Sequence, residues 1–482
     1  MSALPAEGQA VTEVLAELRG LRSADLPTHG GRTLAYVYDS GLDGVDALAA
    51  AAHALAASAN ALDPTAFPGL LRMENDLVGA AANLLGGTPA TVGTVTSGGT
   101  ESCLLAVLAA RESRPDITDP SIVLPSTAHA AFHKAGHYFG VRVVTVPVDP
   151  RTFRAVPGDM AAAVDHSTVL VVASAPSYAH GVVDPVAEIA RVAVTAGTRM
   201  HVDACIGGWV LPYLRRLGAA VPDFGFGVEG VTSISVDLHK YAYCPKGVSV
   251  LLHANAELRR SQYFAAAGWP GYTMLNTTMQ STRSGGPPAA AWAVLRHIGD
   301  EGYLGLAERT RSAVAAIRAG IERIDGLRVL GDPDATLLAV AAAEAPGFDL
   351  FTVADRMSVR GWYVQPQFAH EHSPVNLHLT ITAANHGSED AFLADLAGSV
   401  AEARAAGPVE VAPELAGAVA ALDPETLTPE QFSGLLAGAG LGDAAALPSE
   451  MAGINALLAV APAALRERLL LEFLGALYRP GG

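Results

Sequence analysis

The stretch Ser233-Ile234-Ser235-Val236-Asp237-Leu238-His239-Lys240-Tyr241-Ala242-Tyr243-Cys244-Pro245-Lys246-Gly247 organises the chain. Its β-branched start reads as a buried strand ending near Val236. A His-Lys pair follows, Pro245 and Gly247 close the segment, and a second apolar run, Val248 to Leu252, begins at once. Burial of Lys240 at the end of a strand favours its neutral amine, and a neutral amine is a nucleophile able to form a Schiff base with an aldehyde. Alone, a lysine in this place is more often a solvated loop residue. The motifs upstream change that reading.

Thr198 to Val202 reads as another strand, with Asp203 at its carboxyl end inside His201-Val202-Asp203-Ala204-Cys205-Ile206-Gly207-Gly208. In an open α/β sheet, ligands bind at that edge. Farther upstream, Val95-Thr96-Ser97-Gly98-Gly99-Thr100-Glu101-Ser102 leads into the apolar helix Cys103 to Ala110. Small residues at a helix start leave backbone N–H groups open to an anion, and the helix dipole assists. A Gly-containing turn with an N-cap is the plainer reading of that motif alone. Lysine, carboxylate and anion cradle in this order fit pyridoxal 5′-phosphate (PLP). That cofactor needs a Schiff-base lysine, an acidic partner for its pyridine nitrogen and a cradle for its phosphate.

The chain has 482 residues, enough for two or three domains and a large core. Half the residues are hydrophobic and 16% are charged, a composition of compact domains rather than disorder. The net charge of −17 argues against nucleic acid or an anionic membrane as a general partner. Cys103, Cys205 and Cys244 have no metal-ligand spacing and form no disulfide framework, so packing roles, a reducing compartment and no metal are expected. Residues 1–16 lack a signal-peptide pattern, and no apolar run reaches the roughly 18 residues of a membrane span. A soluble, cytoplasmic protein is expected.

Between about 121 and 252, short apolar runs alternate with helical patterns. Strands are predicted at 121–124, 141–146, 169–173, 198–202, 232–236 and 248–252, with helices at 128–139, 157–164 and 185–196 between them. This is the signature of an α/β fold with a mostly parallel sheet covered by helices on both faces. After 286 the pattern becomes a smaller α+β C-terminal domain: a long helical stretch, Pro288 to Arg323, is interrupted near Gly299 to Gly302. Strands at 327–330, 337–341 and 377–381 and helices at 348–358 and 388–405 follow. The expected division is 1–60, an N-terminal helical arm; 61–286, the large domain; 287–405, the small domain; and 406–482, a helical extension. The arm could wrap a partner subunit or pack on its own domain. The extension shows neither a helix-turn-helix nor a basic patch, and packing or subunit contact is expected of it.

With these motifs in order, the chain resembles the fold-type I PLP enzymes of the group II decarboxylase superfamily, and within it most closely the bacterial sphingosine-1-phosphate lyases. The resemblance covers roughly residues 30–400. It rests on Asn60…Phe67-Pro68-Gly69, Thr96 to Ser102, His129-Ala130-Ala131-Phe132-His133-Lys134-Ala135, His201 to Cys205 and Ser233 to Gly247. It implies that Lys240 is the Schiff-base lysine, that Asp203 keeps the pyridine nitrogen protonated and that His129 stacks on the ring. It implies further that Gly99, Thr100 and His239 hold the phosphate. The loop carrying Thr282 and Gly285 is similar to one that reaches the phosphate of a neighbouring subunit, which implies a homodimer with shared sites. Tyr178, Tyr38, Asn60 and Lys246 match substrate-side positions. Where the lyases carry a histidine near the substrate phosphate, this chain has Asp63, and a carboxylate there would repel a phosphate.

The implied activity is retro-aldol carbon–carbon cleavage of an amino alcohol, with Lys240, a histidine or Tyr178 moving protons. The same machinery on another bond would make an α-amino-acid decarboxylase. An aminotransferase would need an arginine for the substrate carboxylate, for which Arg283 is the candidate. A non-enzymatic PLP-binding regulator or scaffold is the reading from a different class, and intact Lys240 and Asp203 speak against it.

Overall fold

The computed structural model describes residues 4–343, 347–428, 430–432, 434 and 450–478. Its centre is a seven-stranded sheet of β1 (Val92–Thr96), β2 (Ser121–Pro125), β3 (Arg142–Val146), β4 (Thr168–Ser174), β5 (Arg199–Asp203), β6 (Ser233–Val236) and β7 (Ser249–His253). The spatial order is β1-β7-β6-β5-β4-β2-β3. Strands β3, β2, β4, β5 and β6 pair in parallel, whereas β7 runs antiparallel to both β6 and β1. The one reversed strand follows from the link Asp237 to Val248, which holds turns but no helix and so returns the chain antiparallel rather than by a helical crossover. All the other strands present their carboxyl ends at one edge, and strands β2 and β4 to β7 are buried throughout. In β5 the one exception is the partly buried Arg199 at its start.

Two of the helices that begin at that edge frame the site. Gly99–Glu112 starts directly after β1, and Gly207–Arg216 starts after β5. The second was not anticipated, nor was a small hairpin of β8 (Phe264–Ala266) and β9 (Met274–Asn276). The long helix Gly286–Ile321 leads away from the large sheet. Its expected break falls at Gly299, whose φ of 66° lies in the left-handed region open to glycine. A four-stranded antiparallel sheet follows, formed by β10 (Leu327–Val329), β11 (Leu337–Ala342), β12 (Gln365–Gln367) and β13 (Asn376–Thr380) in the order β10-β11-β13-β12. Helices Leu350–Val359 and Glu389–Ala406 pack with it around Trp362, Phe392 and Leu396.

The N-terminal segment is tied to its own chain. Thr33 bridges Tyr363, the Thr380 N–H donates to Leu34 O, and Leu34 is fully buried in the small-sheet core. The helix Val11–Leu21, by contrast, buries none of its residues. In the extension, the described helices are Pro413–Ala420, Ala452–Val460 and Ala463–Leu477. The cluster of helix breakers that the sequence places around Gly438–Gly442 lies outside the described residues. Among the described residues, no helix is long and apolar enough to cross a membrane.

Candidate active site

The carboxyl edge of the large sheet encloses a cavity of about 400 Å³. Ser97 and Gly98 reach it from beyond β1, Ser174 from the end of β4, Asp203 from the end of β5, and Asp237, His239 and Lys240 from the turn after β6. Thr100, His129 and Tyr178 also line it, as do Gly99, Glu101, Cys103 and Cys205. Seven residues singled out in the sequence (Lys240, Asp203, His129, His239, Gly99, Thr100 and Tyr178) are thus brought to one place.

The turn after β6 is held by a buried charge cluster. Lys240 Nζ lies 2.9 Å from Asp237 Oδ2, Ser249 Oγ donates to Asp237 Oδ1 at 2.7 Å, and His239 Nε2 is 3.6 Å from Asp237 Oδ2. Burial by itself would lower the Lys240 pKa, which is the neutral amine that the sequence suggests. Burial is the largest single influence, but the Asp237 carboxylate together with Tyr38, Cys205 and Asp203 outweighs it and holds the lysine well above its ordinary range. Burial pushes Asp237 up, yet Lys240, His239 and the Ser249 hydrogen bond together leave it below the usual carboxylate range. Lys240 is therefore an ammonium with a counter-ion in this state, a correction to the sequence reading. Burial lowers the pKa of His239, whose Nδ1 is 3.1 Å from Val248 O.

Asp203 is oriented from behind by strand β6. Ser235 Oγ donates to Asp203 Oδ1 at 3.3 Å, and the Cys205 N–H donates to the same oxygen at 3.1 Å. Having given its proton to Asp203, Ser235 accepts from His201 Nε2 at 3.2 Å, while His201 Nδ1 faces Ser233 Oγ at 2.9 Å. This sets the Nε2–H tautomer of His201. Burial drives its pKa down to about 4, so the relay behind Asp203 is uncharged at neutral pH.

Four contributors were missed by sequence reasoning: Asp237, Ser235, His201 and Glu101. Glu101 Oε2 accepts from the Ser97 N–H at 2.6 Å, and its Oε1 accepts from the Met279 N–H at 2.9 Å, which pins the loop before the helix. The period-2 spacing of Ser233 and Ser235 was the available signal for the relay. Nothing local distinguished Glu101 from an ordinary first-turn acid. Cys103, Cys205 and Asp203 also place their ligand-type atoms within 4.8 Å of one another inside the cavity.

The substrate-side candidates are more scattered. The Tyr178 hydroxyl donates to Gln365 Oε1 at 2.7 Å, its ring stacks on His378 at 4.1 Å, and burial pushes its pKa far up. Tyr38 packs edge-on against Tyr241, and burial raises its pKa too. Lys246 as a residue is exposed, but its ammonium donates to Tyr36 O at 2.9 Å and sits 5.0 Å over the Tyr38 ring. Burial of that end, with Lys240 nearby, lowers it to about 8. Asn60 Oδ1 accepts from the Leu62 and Arg283 N–H groups and so fixes the 282–285 loop. Asp63 Oδ1 caps its own turn by accepting from Thr65 and Ala66 on the surface. Arg283 pairs with Glu74 at 2.8 Å. Tyr38, Asn60, Asp63, Lys246, Thr282 and Gly285 are not among the residues that line the cavity within this single chain.

Residues 28–339 match the family model described as "Pyridoxal-dependent decarboxylase conserved domain". The chain belongs to this family. It is a PLP-dependent enzyme. A second model, "Pyridoxal-dependent enzyme, C-terminal putative HTH domain", matches residues 413–476 and corrects the expectation that the extension carries no helix-turn-helix pattern. The chain is 39% identical over 350 residues to the sphingosine-1-phosphate lyase of Dictyostelium discoideum, covering 72% of this chain and 65% of that protein. It is 36% identical over 410 residues to sphingosine-1-phosphate lyase 1 of Rattus norvegicus, covering 83% and 70%. The structure of the Burkholderia pseudomallei sphingosine-1-phosphate lyase superposes with a TM-score of 0.79 at 36% identity, over 84% of this chain and 94% of that one.

The cavity fits the cofactor. A Cβ on Gly99 would fall 2.7 Å from both Asp237 Oδ2 and Cys205 Sγ, so only glycine keeps the cradle open. Ser174 Oγ, on the cavity wall, is buried with no hydrogen-bond partner among the described residues. An amine and a carboxylate on separate strand ends complete the donor set that PLP needs.

Proposed function

We propose that this protein is a PLP-dependent carbon–carbon lyase that cleaves an amino alcohol in retro-aldol fashion. The observation that carries the reading is the likeness to sphingosine-1-phosphate lyases over most of the chain, joined to a cavity that gathers Lys240, Asp203 and His129.

In this reading Lys240 is the amine that holds the cofactor, and Asp237 keeps a counter-ion beside that nitrogen. Asp203, steadied by Ser235 and the Cys205 N–H, holds the ring nitrogen. His129 covers the ring face; its Nδ1 accepts from the Ala131 N–H at 3.1 Å, which orients the imidazole. Gly99, Thr100 and His239 take the phosphate, with Thr282 and Gly285 of a second subunit reaching the same group. Bound PLP with a protonated ring supplies the electron sink for the bond that breaks. A base takes the proton of the substrate's β-hydroxyl as the Cα–Cβ bond opens, and the departing half leaves as an aldehyde. Tyr178, with its raised pKa and its proton directed at Gln365, suits a donor returning a proton to Cα better than a base. Lys246, Tyr38 and Asn60 belong to the substrate side. Asp63, engaged with its own turn, is the departure that leaves the substrate's phosphate open.

The same reading takes the protein to be a cytoplasmic homodimer with shared sites and the domain limits expected from the sequence, and it includes neither metal nor nucleic acid. Eight acidic residues against two arginines in 413–476 support the last point despite the helix-turn-helix match. The rival is an α-amino-acid decarboxylase. A "Probable L-tyrosine/L-aspartate decarboxylase" of Methanothermobacter thermautotrophicus is 32% identical over 63% of this chain.

The test is product analysis of PLP-loaded protein given a phosphorylated long-chain amino alcohol and, separately, α-amino acids. A long-chain aldehyde with phosphoethanolamine is the expected outcome. Carbon dioxide with an amine would overturn it in favour of decarboxylation.

A further inference from the structure

Among the described residues, one group of three side chains gathers metal-ligand atoms: Cys103, Cys205 and Asp203. All three are buried, and all three line the main cavity. The fold assembles them from separate elements, which is why no metal-ligand spacing shows in the sequence. Cys103 lies in the second turn of the helix Gly99–Glu112, Asp203 ends β5, and Cys205 stands two residues beyond it. Their ligand atoms lie within 4.8 Å of one another, so some point is no more than about 2.8 Å from all three. A small closure of the side chains brings that to the roughly 2.0–2.3 Å of zinc–oxygen and zinc–thiolate bonds.

The donors have capacity left for an ion. Both hydrogen bonds of the Asp203 carboxylate, from Ser235 Oγ at 3.3 Å and the Cys205 N–H at 3.1 Å, fall on Oδ1, which leaves Oδ2 to a ligand. Ser235 and His201 behind it steady that carboxylate as outer partners steady a metal ligand. Cys205 Sγ donates to Ser235 Oγ at 3.3 Å and keeps its lone pairs. The other two carboxylates of the lining are committed, Glu101 to the Ser97 and Met279 N–H groups and Asp237 to Lys240 and Ser249. With Asp203 they set three carboxylates against one ammonium, Lys240, and His129 and His239 are the imidazoles of the same lining. Cys205 and Asp203 are 7% and 8% exposed against 1% for Cys103, so an ion arriving through the cavity meets those two first and Cys103 closes the set. Two sulfurs with one oxygen suit zinc or cadmium, whereas magnesium and calcium take oxygen ligands.

We propose that Cys103, Cys205 and Asp203 of the cofactor-free protein form a site for one thiophilic divalent cation, and that this ion and PLP exclude each other. Binding exchanges two thiol protons, released to solvent, for the cation; Asp203 binds as the carboxylate, and water takes the fourth position from the cavity side. The exclusion rests on the reading that Asp203 holds the ring nitrogen, whereas the ion site does not. The lyase reading still uses no metal: the ion competes with the cofactor and takes no part in the reaction.

The experiment titrates the full chain, reduced and freed of cofactor, with cadmium chloride and follows the thiolate-to-cadmium charge-transfer absorbance. One ion per chain should bind, and magnesium chloride should neither give the band nor displace it. Cys103→Ala should weaken cadmium binding on the order of 100-fold, and Asp203→Asn about tenfold with the band retained. PLP added to the cadmium-loaded parent should develop its visible absorbance only after a chelator is added. Cys103→Ala, whose thiol no step of the lyase reading uses, should take up PLP at a cadmium concentration that saturates the parent, which also shows that the variant folds. Equal cadmium affinity in the parent and Cys103→Ala, absence of the charge-transfer band, or unimpeded PLP uptake by the cadmium-loaded parent would overturn the proposal. Product analysis reports separately on the bond that is cleaved, and the cadmium titration decides the ion site whichever bond that is.

Discussion

The two adjoining cavities differ in how their polar groups are satisfied. In the first, charges answer one another inside the protein: Lys240 has Asp237, Asp237 also has Ser249, and Asp203 has Ser235 and the Cys205 N–H. Around the second, a cavity of about 360 Å³ that shares His129 and Tyr178 with the first, the buried neutral atoms Thr127 Oγ1, His180 Nδ1 and Asn376 Oδ1 have no hydrogen-bond partner among the described residues. A site that must hold a charged cofactor pairs its ions in advance, because an unpaired buried charge costs far more than an unpaired buried dipole.

The largest expected effect is on the charged side. Lys240→Ala should remove the visible absorbance of bound cofactor and lower turnover about 10⁴-fold or more; a band that survives would break the assignment of that cavity. Asp203→Asn should lower kcat by about 10²–10³-fold with a small change in KM, since it removes an interaction needed as charge develops. A matching rise in KM would reduce Asp203 to a binding group. Asp237→Asn leaves the Lys240 ammonium without its partner and should destabilise the fold by about 3 kcal/mol in urea unfolding. If stability is unchanged, the contrast between the cavities loses its premise.

Weaker effects come from pH. Lys246, lowered to about 8, loses its charge as pH rises through that value. KM for a phosphorylated substrate should therefore increase about tenfold between pH 7 and 9, and Lys246→Gln should show the high KM throughout. A flat profile would detach Lys246 from the phosphate. His180 titrates near 4 when folded against about 6.5 when unfolded, so the unfolded state binds more protons between those values. Its contribution is a loss of stability as pH falls through that window, about 1 kcal/mol by pH 5.5, which His180→Phe should abolish in calorimetry.

The charged cavity was largely legible in the sequence because its groups lie at strand ends. An apolar run fixes the strand, and the next residues must then emerge at one edge of a parallel sheet. Lys240, Asp203 and Gly99 follow that logic. Asp237 was in plain view three residues from Lys240, but only the tight turn after β6 brings its carboxylate to the amine. Glu101 was hidden because its second partner, Met279, comes from the bend just after a hairpin with no strong strand signal. In the extension, a run rich in alanine and leucine masked the pattern that the family model detects.

By itself, the sequence determined the α/β alternation, the break at Gly299 and the order of lysine, carboxylate and glycine cradle, because each is a local matter of periodicity or backbone freedom. The tertiary structure alone decided the protonation of Lys240, the relay behind Asp203 and the second cavity. His180 and Ser373 meet across 193 residues of chain, and the pKa of Lys240 depends on a balance between burial and a ring of groups, Asp237 first among them, with Tyr38, Cys205 and Asp203. Distances between groups remote in sequence, and the water removed around them, are set only when the two sheets pack.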